Sequence, residues 1–250
     1  MVPARIGRGS LSLALWLLAA GCSSQTGACG LPKPASPIAS STSQNPAPGG
    51  ATTPQPTGTA IAVLGDSITA GLGLMTDQAF PARLQEMFVA EGYNEVEILN
   101  GGLSGDTTAG GVRRVEQLLE ANVRILVVAL GGNDALRGLS ATETHDNLAK
   151  IIDVATAKRV GVVLVGMEAP ANLGIEYRTA FHDAYVQLAQ QYRGTIAFIP
   201  FLLEGVAGNP ALNQADGIHP NEQGARTIAA LLYPELRRRV DELPSPGGHE

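Results

Sequence analysis

Between residues 59 and 243 the chain alternates short, continuously apolar runs with longer segments whose apolar residues recur every three or four positions. The short runs are Ile61–Leu64, Val96–Leu99, Ile125–Leu130, Val162–Val165 and Ile196–Ile199. Runs of this length and character read as strands buried on both faces, and Ile125–Leu130, the most apolar, reads as central. The longer segments are Phe80–Glu91, Ala109–Glu120, Thr142–Lys158, Tyr177–Tyr192 and Asn221–Val240. Their spacing is helical: Phe181, Tyr185 and Leu188 fall on one stripe. Asn221 is a candidate helix cap, and Pro200 ends the fifth strand. Five strands alternating with helices predict one α/β domain, a three-layer α/β/α sandwich around a five-stranded parallel sheet.

The chain outside this pattern has a different character. Residues 1–21 have the form of a secretory leader, with Arg5 and Arg8 before the apolar run Leu11–Ala20. That run is too short for a stable membrane span, which needs about 20 residues. Leu18-Ala19-Ala20-Gly21-Cys22 resembles a bacterial lipobox, with Ala19 where leucine is usual. The resemblance implies lipid attachment at Cys22, and an exported protein tethered to a membrane in the cell envelope or periplasm. Residues 22–58 are rich in Pro, Ser, Thr and Gly. Such a segment cannot bury enough apolar surface to offset its ordering entropy and reads as a disordered tether. Cys29 lies within it, and neither cysteine is expected in the chemistry. Residues 244–250 read as a frayed tail.

Charge narrows the function. The chain has 17 basic and 23 acidic residues, a formal net charge of −6, and loss of a leader carrying Arg5 and Arg8 leaves it more acidic. An acidic surface argues against nucleic acid as a partner, and an aromatic content of 4% argues against a base-stacking platform. Four scattered histidines do not form a metal-ligand pattern. No phosphate-binding glycine loop follows the first strand, and the Gly-x-Ser-x-Gly elbow is absent.

The loops after the strands hold most of the polar residues, and this architecture gathers those loops at one sheet edge. The first strand runs into Gly65-Asp66-Ser67. The second leads to Ser104-Gly105-Asp106, the third to Gly131-Gly132-Asn133-Asp134, and the segment after the fifth to Asp216-Gly217-Ile218-His219. A nucleophile, an approachable glycine N–H, an amide donor and a base with its carboxylate are what acyl transfer needs. Taken singly, Ser67 could cap a helix, Gly105 could serve a turn, and His219 could be a surface histidine like His145, His182 and His249.

Together these four blocks resemble those of the SGNH (GDSL) hydrolases, closest to the bacterial acyl-CoA thioesterase, lysophospholipase and arylesterase group. The resemblance spans nearly all of residues 59–240, including Gly131–Gly138 and Ala169–Gly174. It implies a flavodoxin-like fold and a Ser67–His219–Asp216 triad. The implied oxyanion hole comprises the Ser67 N–H, the Gly105 N–H and the Asn133 amide. It also implies hydrolysis of small acyl or lipid esters, or of thioesters, through an acyl-Ser67 intermediate. No cofactor and no metal are expected, and the protein is expected to be a monomer. Asp66, Asp106 and Asp134 are expected to hold loops. Leu136, Leu139, Leu173 and Leu202 are candidates for an acyl site, with core packing an equal reading for each. Two other functions fit the same pattern: a carbohydrate O-acetylesterase of the envelope, and a non-catalytic envelope-binding lipoprotein.

Overall fold

The computed structural model describes residues 58–119 and 122–244; Cys22, Cys29, the leader, all of the tether before Gly58, and the tail with His249 lie outside them. Contacts divide the chain between Thr52 and Thr53, and the unit Thr53–Glu250 carries a complete core of its own.

The five expected strands form: β1 Thr59–Gly65, β2 Val96–Gly102, β3 Val123–Ala129, β4 Gly161–Val165 and β5 Ile196–Ile199. They pair in parallel in the order β2-β1-β3-β4-β5. Ile61–Leu64 and Ile125–Val128 have no appreciable exposure, as expected of strands with helices on both faces. Each long helix falls within two residues of its expected bounds: α2 Phe80–Ala90, α3 Thr108–Leu118, α5 Ala141–Ala157, α6 Ile175–Gln191 and α7 Glu222–Asp241. α2 packs against α7 on one face, and α5 packs between α3 and α6 on the other. Asn221 does cap α7, its side chain accepting from the Gly224 N–H at 3.0 Å.

Two short helices, α1 Ser67–Ala70 and α4 Gly132–Leu136, carry no periodic signal because each is about one turn long. Both start at the carboxyl ends of strands. The register sets them side by side, since Gly65 pairs with Gly102 on one flank and with Ala129 on the other. β1, β2 and β3 therefore end level. The connections from β1 and β2 leave toward opposite sides of β1, which opens a crevice at that edge. Arg114 locks the level ends together. Its guanidinium donates to the Gly65 carbonyl at 2.8 Å, the Gly101 carbonyl at 2.6 Å and Asp106 at 2.7 Å.

Candidate active site

Ser67 is the first residue of α1, not its cap. Asp66 caps that turn, its Oδ1 accepting from the Ile68 N–H at 3.0 Å, so the Ser67 hydroxyl is left for other work. Ser67 Oγ lies 2.9 Å from His219 Nε2, across 152 residues of sequence. His219 Nδ1 lies 2.6 Å from Asp216 Oδ2. With the proton on Nδ1 donated to that carboxylate, Nε2 is free to accept from the serine.

The Asp216–His219 loop is organised by its own backbone. Asp216 Oδ1 accepts from the Ile218 and His219 N–H groups at 2.9 and 3.0 Å. The hydrogen bond to His219, with these two, holds the Asp216 carboxyl down to about 2. Gln214 ties the loop to the segment that follows Ser67, its amide donating to the Leu72 carbonyl at 2.7 Å and the Pro220 carbonyl at 3.0 Å. Buried Asn213 donates to the Val206 and Asn209 carbonyls, bracing the segment that leads into the loop.

The three groups expected to face an oxyanion come to the same place, since Ser67, Gly105 and Asn133 all line one cavity. The Ser67 N–H belongs to the first turn of α1, where N–H groups lack partners within the helix. Gly105 adopts φ +79° in a turn closed by the Asp106 N–H and the Leu103 carbonyl, a conformation that favours glycine. Asn133 sits in the first turn of α4, behind Gly131 at φ +114°. Gly131 could not be another residue, because a Cβ there would overlap the Tyr185 hydroxyl, which is bonded to the Leu130 carbonyl.

The three acidic neighbours hold loops, as expected from the sequence. Asp134 is buried and accepts from the Thr108 N–H and hydroxyl at 2.9 and 2.6 Å, joining α4 to α3. Asp106 joins its loop to Arg114. Asp66 has a second role that the sequence did not suggest: its Oδ2 accepts from the Asn133 side-chain amide at 3.3 Å. Only 3% exposed, it has its carboxyl pushed up to about 6 by burial, against the opposing pull of the Ile68 N–H and His219. Arg137 was also missed. It donates to the Gly105 carbonyl at 2.8 Å and so links the two loops that carry Gly105 and Asn133. Its place one turn after Asn133 was visible, but its partner 32 residues away was not.

The cavity over Ser67 has a volume of about 560 Å³. Much of its lining is apolar, including Leu136, Met167, Phe201, Leu203 and Ala207. Of the four leucines proposed from the sequence, Leu136 lines it and Leu202 is buried in the core. Leu139 and Leu173 lie outside the lining. Among the described residues no cluster of acidic, histidine or cysteine side chains could hold a metal ion, and no helix is long and apolar enough to cross a membrane.

Residues 63–227 match the model of the GDSL-like lipase/acylhydrolase family. Over 178 residues the chain is 40% identical to an esterase of Pseudomonas aeruginosa named TesA, covering 71% of this chain and 87% of that protein. It is 33% identical over 182 residues to thioesterase 1/protease 1/lysophospholipase L1 of Escherichia coli, covering 72% and 85% respectively. A crystal structure of TesA superposes with a TM-score of 0.68 at 40% identity, covering 72% of this chain and 99% of that one.

Proposed function

The chain belongs to the GDSL-like lipase/acylhydrolase family and is a carboxylic ester hydrolase, and on that premise we propose that it cleaves acyl esters and thioesters through an acyl-Ser67 intermediate. The observation that carries the reading is the continuous relay from Asp216 through His219 to Ser67, at 2.6 and 2.9 Å.

Ser67 Oγ attacks the carbonyl carbon while His219 Nε2 takes the hydroxyl proton. The carbonyl π electrons move onto oxygen, and the Ser67 N–H, Gly105 N–H and Asn133 amide stabilise that oxyanion. Asp216 fixes the imidazole tautomer and stabilises the imidazolium. Collapse expels the alcohol or thiol, which receives the proton from His219. Water, deprotonated by His219, then attacks the acyl-serine, and collapse of the second tetrahedral species returns the proton to Oγ and releases the acid.

The apolar wall of a cavity of about 560 Å³ supports a medium-length acyl chain and lysophospholipid-like or aryl esters as substrates. An acetyl group would leave most of that volume empty, so a carbohydrate O-acetylesterase is less well supported. The relay itself weighs against a non-catalytic lipoprotein. Export, and lipid attachment at Cys22, remain part of the proposal, on residues outside those described. The intact mass of the mature protein from membranes tests them.

A panel of p-nitrophenyl acetate, octanoate and decanoate with a fluorophosphonate label tests the chemistry. Turnover should favour the longer chains, and Ser67→Ala should lose both turnover and label. Turnover confined to acetate, or labelling that survives Ser67→Ala, would overturn it.

A further inference from the structure

The large aliphatic side chains that the fold leaves exposed are gathered at one edge. Among the described residues, every exposed large hydrophobic except Val89 lies on a loop, on the one-turn helix α4 or at a helix start at the carboxyl end of the sheet. Leu72 and Met75 follow α1, and Leu103 follows β2. Leu136 and Leu139 end the turn after β3, Ile175 opens α6, and Ile218 precedes His219. Val89 sits at the far end of α2, at the opposite edge.

Folding does not explain this distribution, because none of these side chains is buried. Substrate binding explains only part of it. Leu72, Leu136 and Ile218 line the cavity, whereas Met75 (70% exposed), Leu103 (55%) and Ile175 (63%) lie outside it. The loops are joined to one another at their backbones. Gln214 bonds the Leu72 carbonyl, linking the α1 loop to the His219 loop. Arg137 bonds Gly105, linking the Leu136 turn to the Leu103 loop. The Tyr177 hydroxyl donates to the Leu139 carbonyl at 2.7 Å, linking that turn to the start of α6. The mouth of an acyl cavity is thus set within an apolar rim, and apolar surface gathered in this way marks a surface that meets another apolar phase.

We propose that this rim docks the enzyme on a zwitterionic or neutral lipid surface, the aggregate in which its own ester substrates reside. The proposal rests on the reading of this edge as an ester-hydrolase site. Charge selects the occupant. The exposed ionisable residues on these loops and helix starts are mainly acidic: Asp77, Glu143, Glu168, Glu176, Glu204 and Asp216, against Arg137 and Arg178. An anionic bilayer would be repelled, whereas a phosphatidylcholine-like surface meets no net penalty. Continuity between rim and cavity then lets an acyl chain pass from aggregate to cavity without crossing water.

The unit of residues 53–250 should bind dioleoylphosphatidylcholine vesicles in a flotation assay. The triple substitution Met75→Gln, Leu103→Gln, Ile175→Gln should weaken that binding about tenfold. Its turnover of monomeric p-nitrophenyl butyrate should stay within about twofold, as for ordinary surface changes, and Val89→Gln should bind as the parent does. A separate Ile175→Trp variant adds the sole tryptophan of this unit, since the chain's one native tryptophan is Trp16. Its emission should shift to the blue on vesicles. No binding by the parent, equal binding by the triple variant, or no shift would overturn the proposal. So would concentration-dependent self-association abolished by the triple substitution without vesicle binding, which would make a second copy the occupant. Loss of butyrate turnover in the parent would overturn the hydrolase reading instead, and would leave the vesicle result to judge the rim.

Discussion

Replacing Asp66 with asparagine should raise stability and lower activity, and pH should separate the two effects. Asp66 is ionised at neutral pH inside a site that leaves it 3% exposed, and burial raises its carboxyl from 3.8 to about 6. A carboxyl raised on folding penalises the native state as pH rises. The penalty is small at pH 4, grows as the pH passes from about 4 to about 6, and is complete above that. A shift of this size corresponds to about 3 kcal/mol at pH 8 and to under about 1 kcal/mol at pH 4. The Asp66→Asn side chain carries no charge, so the stability of the variant relative to the parent should improve by about 2–3 kcal/mol between those two pH values.

Activity should move the other way. Asp66 Oδ1 is committed to the Ile68 N–H, so in the variant the new amide nitrogen would face the Asn133 amide, donor against donor. Asn133 must turn its oxygen toward the cavity, where it opposes an oxyanion. The expected loss in kcat is that of a missing oxyanion donor, about 10²–10³. Urea unfolding followed by circular dichroism at both pH values, with p-nitrophenyl octanoate kinetics, measures both effects. A stability difference that is the same at pH 4 and pH 8 would refute the buried-charge argument. Unchanged kcat would refute the orienting role.

Asn133→Ala should lower kcat by about 10²–10³ with little change in KM, because the lost donor acts on the transition state. Arg137→Ala should lower kcat about tenfold, on the order of one hydrogen bond to a charged group at an exposed site, and its kcat against pH should keep the parental shape. The Asp216 carboxyl, lowered from 3.8 to about 2, contributes stability that is full above about pH 4 and is lost as pH falls from there through about 2; carboxyl ¹³C NMR should find it still ionised at roughly pH 3. Leu126→Ala, on a strand residue with no exposure, should destabilise by about 2–5 kcal/mol in urea unfolding.

The strands and long helices were legible because each is written in local periodicity, and so was the gathering of Ser67, Gly105, Asn133, Asp216 and His219, since parallel topology sends every loop after a strand to one edge. What stayed hidden was long-range. Arg114 is one of two adjacent arginines on a helix until Gly65 and Gly101 end level with each other. Asp66 reads as a turn residue until Asn133 arrives 67 positions later. Leu202 and Leu136 are equally apolar in sequence, yet one fills the core and the other the cavity wall, because that depends on which way a loop turns after its strand. The short helices α1 and α4 are too brief for any periodicity to show.

The separation of 152 positions between Ser67 and His219 also bears on the protein's birth. Chains emerge from the ribosome amino end first, so the proposed nucleophile is synthesised well before its proposed base. β1 and α1 can form while the chain is still growing, but Ser67 has no imidazole beside it until the loop before α7 is made and that helix docks against α2. A chain that has not yet reached His219 should therefore be catalytically silent. On the proposed mechanism, acylating power arrives only once His219 has been made and its loop has closed on Ser67.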